Sequence, residues 1–154
     1  MLKKCSYGWL MLTAFCEVAI ANDVVVDGQL DEAIWQQAEV IDEFVTTSPY
    51  SLAVPEHRTE VRVHTNEAGI YIGITNHQPQ NSQLSNRSAR DAYIEADANN
   101  IIIDFDNTGV AAYRFSVGNG GSIQDGTFRN ENSFSSEWDG IWYAKTSSDE
   151  AHWF

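Results

Sequence analysis

Trp138 and Trp142 stand four residues apart in the stretch EWDGIWYAKT. Indole planes stack well on the C–H faces of sugar rings, while the sugar hydroxyls need a few placed polar groups. Arg90, Asp91 and Arg114 supply groups of that kind, and with Trp138 and Trp142 they make the candidate carbohydrate-contacting set. A second fate is open to both tryptophans, because large apolar side chains more commonly fill a core. Arg114 likewise has two readings, since a buried arginine is more often paired structurally than free for a ligand.

Cation binding is the other chemistry the residue types permit. A hard cation such as calcium takes several oxygens from carboxylates and carbonyls on loops. Asp91, Glu95, Asp97, Asp104, Asp106 and Asp125 fall in turn-rich segments, and Asp97, Asp104 and Asp106 are the metal candidates taken from among them. Asp104 and Asp106 flank Phe105, so an extended chain points both to one face. The DFDNTG context makes Asp106 equally an ordinary turn residue. The spacing is not that of an EF-hand loop.

No catalytic residue is assigned. The sequence contains no G-x-S-x-G, P-loop or H-E-x-x-H pattern, each of which carries its own chemistry. His57, His64, His77 and His152 are scattered, with no pair at helical metal-binding spacing. A glycosidase pair is defined by its separation in space, which residue order does not give.

The N-terminus has the layout of a secretory leader: Lys3 and Lys4, an apolar run from Tyr7 to Cys16, and an A-x-A site at Ala19–Ala21. Cleavage after Ala21 divides the chain into a leader, 1–21, and one domain, 22–154, that is secreted or periplasmic. The leader contributes a net +1, so the domain carries −14 where the whole chain of 154 residues carries −13. So acidic a chain argues against nucleic acid and anionic membrane surfaces as partners, since both need basic patches. Both cysteines, Cys5 and Cys16, belong to the leader, which leaves the domain without thiol catalysis or disulfides.

The elements that position these residues follow from periodicity. Leu30, Ile34, Trp35 and Ala38 suit one or two helical turns with Asp31 as cap and Trp35 as a core anchor. TEVRVHT and IYIGITN alternate around NEAG and predict an antiparallel hairpin, with Val61 and Val63 on one face, Arg62 and His64 on the other. The polar connection from His77 to Ala98 is long enough to be functional or a solvated insertion. NNIIIDF reads as a central strand, VAAYRFSV as its antiparallel neighbour, SIQDG as a short strand, FRNENSFSSE as loop and DGIWYAKT as the last complete strand. In that strand Trp138, Gly140, Trp142 and Ala144 share a face. The sum is an all-β fold, an antiparallel β-sandwich of immunoglobulin-like or jelly-roll-like type with one short helix.

The order VDGQLDEAIWQQA, EVRVHTNEAGIYIGI, IIIDFDNTGVAAYRFSVGNGGSIQDG, EWDGIWYAKT resembles carbohydrate-binding module family 9, in the branch that forms the N-terminal module of larger bacterial envelope proteins. The resemblance spans the chain beyond the leader. It implies a β-sandwich that binds an oligo- or polysaccharide between tryptophans, carries structural cations, and is joined to a glycoside hydrolase or a downstream barrel. In that family the segment matching DEAHWF continues as a strand, so the chain reads as cut inside its last strand. The expected function is a secreted, non-catalytic carbohydrate-binding module of polysaccharide catabolism. The alternatives are an assembly module of an envelope protein without a sugar site and, more remotely, a glycoside hydrolase. Fold likeness alone does not choose among them.

Overall fold

The computed structural model describes residues 24–130 and 133–154. The segment 1–21 expected to be a leader, with Cys5 and Cys16, lies outside the described residues. What is described is nearly all β: two antiparallel sheets and two short 3-10 turns, with no α-helix. One sheet has the order β1-β2-β3, from Glu39–Ile41, Thr59–Asn66 and Gly69–Asn76. The other has the order β4-β5-β6-β7, from Ala98–Ile103, Ala111–Gly118, Ile123–Arg129 and Ser133–Ser135. No described helix is long and apolar enough to cross a membrane.

The β2–β3 hairpin forms as its alternation predicts. Val61 pairs with Ile74 and Val63 with Ile72, while Arg62 lies opposite Gly73. Asn66 closes the turn, its Oδ1 accepting the N–H groups of Ala68 and Gly69 at 2.8 and 3.2 Å. The helical periodicity near Trp35 yields only a 3-10 turn, Ala33–Gln36. Asp31 does not cap it. The residue at the cap is Glu32, whose side chain makes no cap bond and instead takes the Val25 N–H at 2.8 Å and the Trp35 Nε1–H at 2.7 Å. Trp35 is buried, as a core anchor should be. It docks on β3 because position 73 is glycine: a Cβ there would come within 2.6 Å of Leu30 Cδ2 and 3.2 Å of Trp35 Cζ3.

Three strand expectations are corrected. The triple-isoleucine run is an edge strand among the described residues, since β4 has β5 on one side and no described strand on the other. Its apolar run reflects one inward face, Ile101 and Ile103, plus an exposed Ile102. The strand read as SIQDG extends through Arg129, and the supposed loop after it contains β7, which pairs Phe128 with Phe134. Contact between those two rings, tilted at 51° with centroids 5.2 Å apart, accompanies the ladder through a polar sequence. Finally, DGIWYAKT belongs to no sheet. It is extended and alternates cleanly between half-buried and exposed residues from 138 to 146, yet no described strand lies alongside it.

The connection from His77 to Ala98 is not a loosely solvated insertion. Asp91 N–H donates to Ile123 O at 3.1 Å and Ser88 N–H to Ser122 Oγ at 2.6 Å, which lays the connection along the free edge of β6 before β7 begins. At the other end of the chain, Trp153 exchanges both backbone bonds with Asn76 at the end of β3, at 2.9 and 3.1 Å. Its buried indole donates Nε1–H to Gln78 Oε1 at 2.9 Å.

Between the sheets an open cavity of about 710 Å³ remains. Ile72 and Ile74 of β3, Ile101 and Ile103 of β4, and Phe115 and Val117 of β5 form its walls. Buried apolar side chains are accordingly few, namely Ile34, Trp35 and Trp153 among the described residues.

Candidate functional site

Trp138 and Trp142 line the inter-sheet cavity together, on the side of β5. Their shared parity is what the sequence requires of an extended segment. Trp138 meets Tyr113 edge-on at 4.8 Å between centroids and Phe115 at 5.8 Å, and Trp142 meets Phe115 at 5.3 Å. Both indoles are half-buried. Gly140, between them on the same face, leaves room for the Trp138 ring: a Cβ there would lie 2.9 Å from Trp138 Cζ3.

Beside Trp142 lies a compact ionic group. Asp125 projects from β6 with 0% exposure. Its Oδ2 accepts the Trp142 Nε1–H, Arg90 Nη2–H at 3.0 Å and Gly140 N–H at 3.3 Å. Asp91 Oδ1 receives the Asp125 N–H at 3.3 Å, and Asp91 Oδ2 is 3.4 Å from Arg90 Nε. Arg90 Nη2 also reaches Asp139 Oδ1 at 2.8 Å and the Gly140 carbonyl at 3.5 Å. The guanidinium is held above its usual pKa first by the hydrogen bond to Asp139, with the charges of Asp125 and Asp91 adding to it. Asp91 occupies the left-handed region at φ +60, where a short polar side chain is among the few that sit readily.

Of the sequence-derived set, Arg90, Asp91 and Trp142 therefore meet around Asp125, with Trp138 next to them on the cavity wall. Arg114 is elsewhere. It alternates with Phe115 onto the opposite face of β5, donating Nε–H to Ser116 Oγ and Nη2–H to Gln124 Oε1, both at 2.8 Å. Its guanidinium covers the Phe134 ring at 4.6 Å. That is the structural pairing, with cation–π contact besides.

The metal candidates Asp97, Asp104 and Asp106 are not brought to one point. Asp97 and Asp104 bracket the six residues of β4, roughly 20 Å of extended chain. Asp97 Oδ2 accepts Gln78 Nε2–H and Leu84 N–H at 2.9 and 2.8 Å. Asp104 closes the β4–β5 turn, taking the N–H groups of Asp106 and Gly109 at 3.1 and 2.7 Å. Asp106 is a turn residue there, not a strand residue sharing a face with Asp104. The one cluster of three or more ligand-type side chains among the described residues is Asp91, Asp125 and Asp139, with carboxylate oxygens within 4.8 Å of one another. Asp91 and Asp125 are among the oxygen donors that the turn-rich segments offer, whereas Asp139 is signalled in the sequence only by its position between the two tryptophans.

No family model, curated protein or solved structure matches the chain.

Proposed function

We propose that the chain is a non-catalytic carbohydrate-binding module whose ligand enters the inter-sheet cavity and stacks on Trp138 or Trp142. The observation that carries this reading is the placement of both indoles on one wall of a cleft of about 710 Å³, whose lining also includes the polar side chains of Gln29, Asn99 and Lys145. Apolar planes with a few adjoining polar groups are the composition of concave small-ligand sites. The three clustered carboxylates do not suit a glycosidase. Their oxygens lie within 4.8 Å and Arg90 pairs with all three, whereas acid and nucleophile or base stand about 5–9 Å apart with the scissile bond between them.

Titration of the folded chain with cello- and xylo-oligosaccharides, read by tryptophan fluorescence, tests the reading. A saturable shift that is lost in Trp142→Ala and in Trp138→Ala, each checked for a cooperative melt, is the expected result. A folded chain with no shift refutes it.

One observation favours a second reading, an assembly module of an envelope protein without a sugar site. The outward residues of the unpaired segment include Ile141 at 94% and Tyr143 at 81% exposure. An extended segment with free backbone groups and apolar outward side chains is suited to pair with a strand of a neighbouring domain. On this reading the cavity is closed by that neighbour's apolar side chains, and no oligosaccharide shifts the fluorescence.

A further inference from the structure

Two backbone edges border the inter-sheet cavity, and no described strand runs along either. One is the edge of β3 that faces away from β2. The other belongs to the unpaired segment, 138–146. Every residue of 69–74 and of 140–145 lines the cavity. A strand that turns its face to a cavity contributes alternate residues only. Consecutive lining residues therefore place the cavity alongside both edges.

A tight hairpin joins the two edges at one end. Ser147 and Phe154 exchange both backbone bonds, at 3.3 and 2.8 Å, and Asp149 N–H donates to His152 O at 2.9 Å around the turn. On its other side Trp153 is bonded to Asn76, at the end of β3. Residues 152–154 thus run between β3 and the segment, antiparallel to both. Two strand spacings separate the flanking edges there, about 10 Å, which is room for one strand. Outward and inward bonding alternate along each edge. Asn76 faces the gap, and so do the N–H and C=O groups of Ile70, Ile72 and Ile74. Ser147 faces it from the other side, and so do those of Ile141, Tyr143 and Lys145.

We propose that this gap is a slot for one extended strand of a partner polypeptide, inserted antiparallel to both β3 and the segment, in line with Trp153 and Phe154. The inference rests on the assembly reading and adds to it the place, direction and register of the partner strand. The bonds from Asn76 to Trp153 and from Ser147 to Phe154 already begin both ladders, and the occupant continues them by strand addition. Its first residue lies opposite Ile74 and Thr146. That residue and every second one after it bond to β3 and turn their side chains inward, toward Ile72, Phe115 and Trp142. The residues between them bond to the segment. Inward positions therefore suit apolar β-branched side chains. A strand so placed fills the cavity and excludes a saccharide from it.

The probe is a blocked peptide, acetyl-VTVTVKK-amide, with valines at the inward positions, threonines outward and lysines for attraction to the acidic chain. Added to the full chain, it is expected to give a saturable blue shift of tryptophan emission at one peptide per chain. In the complex, amide deuterium exchange is expected to slow at Ile70, Ile72 and Ile74 and at Ile141, Tyr143 and Lys145, and to stay unchanged at Trp142 and Ala144. Proline as the third residue of the peptide removes the N–H meant for the Ile72 carbonyl and is expected to abolish the shift. Ile141→Pro removes one donor from the edge at a side chain 94% exposed, and is expected to weaken binding about fivefold. A folded chain with no saturable shift, or equal binding of the proline peptide, overturns the proposal. Slowed exchange at Trp142 and Ala144 instead puts the partner on the far edge of the segment, which removes the slot and leaves the assembly reading standing. A concentration-dependent dimer with the slot pattern and no peptide makes a second copy the occupant and overturns the partner strand. An oligosaccharide that binds together with the peptide overturns it too, because strand and saccharide then occupy different places.

Discussion

At Asp125 a single carboxylate oxygen receives donors from three places: the guanidinium of Arg90, the indole of Trp142 and the backbone of Gly140. Asp125→Ala strands all three. Removing one partner from a buried charged network costs about 3–5 kcal/mol when every group is enclosed, and the exposure of Arg90 to water reduces that. The expected loss is about 2–4 kcal/mol in denaturant unfolding, with a red-shift of tryptophan emission as Trp142 gains water. A variant within about 0.5 kcal/mol of the parent, the range of an ordinary surface change, would show that the network is dispensable. Little of this was legible from residue order. Arg90 and Asp91 drew attention as polar residues in a long connection, but their meeting with Asp125 and Asp139 spans up to 49 positions. Only the tertiary placement of the connection along β6 creates it. Arg114 shows the reverse. Alternation along its strand already gave its face, and that face carries it away from the tryptophans.

Turns and strands differ in how plainly they were written. The β2–β3 hairpin was legible because both strands alternate and a turn sequence separates them. The β6–β7 pair was not, because its ladder rests on two phenylalanines amid Asn, Ser and Arg, a composition that reads as loop. The β4–β5 turn depends on one ionised group. Asp104 is held below the usual aspartate range first by the Gly109 N–H, then by further backbone donors of the turn. Asp149 is held low likewise, first by the Ala151 N–H and then by the His152 side chain. A carboxyl depressed in the folded state stabilises fully above its unfolded pKa, and that contribution disappears as pH falls through the lower folded value. Both turns should therefore loosen in acid. The amide resonances of Gly109 and Ala151 are expected to titrate with midpoints below that of an exposed aspartate. A midpoint at or above the ordinary value would contradict the assigned bonds.

The molecule as a whole is a sandwich with one side unfinished. Two antiparallel sheets face a common cavity, and the segment that borders it on the tryptophan side is anchored by side chains instead of a ladder. The class of fold was visible in the density of short alternating runs and turns. The opening was not, because DGIWYAKT has the alternation of a sheet strand and alternation says nothing about who lies beside it. From 138 to 146, Gly140 alone has a backbone N–H with an acceptor among the described residues, and that acceptor is Asp125 Oδ2. Protection from deuterium exchange should follow this pattern and not the pattern of burial. Half-buried Trp142 and Ala144 should exchange their amides nearly as fast as exposed Ile141 and Tyr143, while Gly140 lags behind them as an isolated slow site.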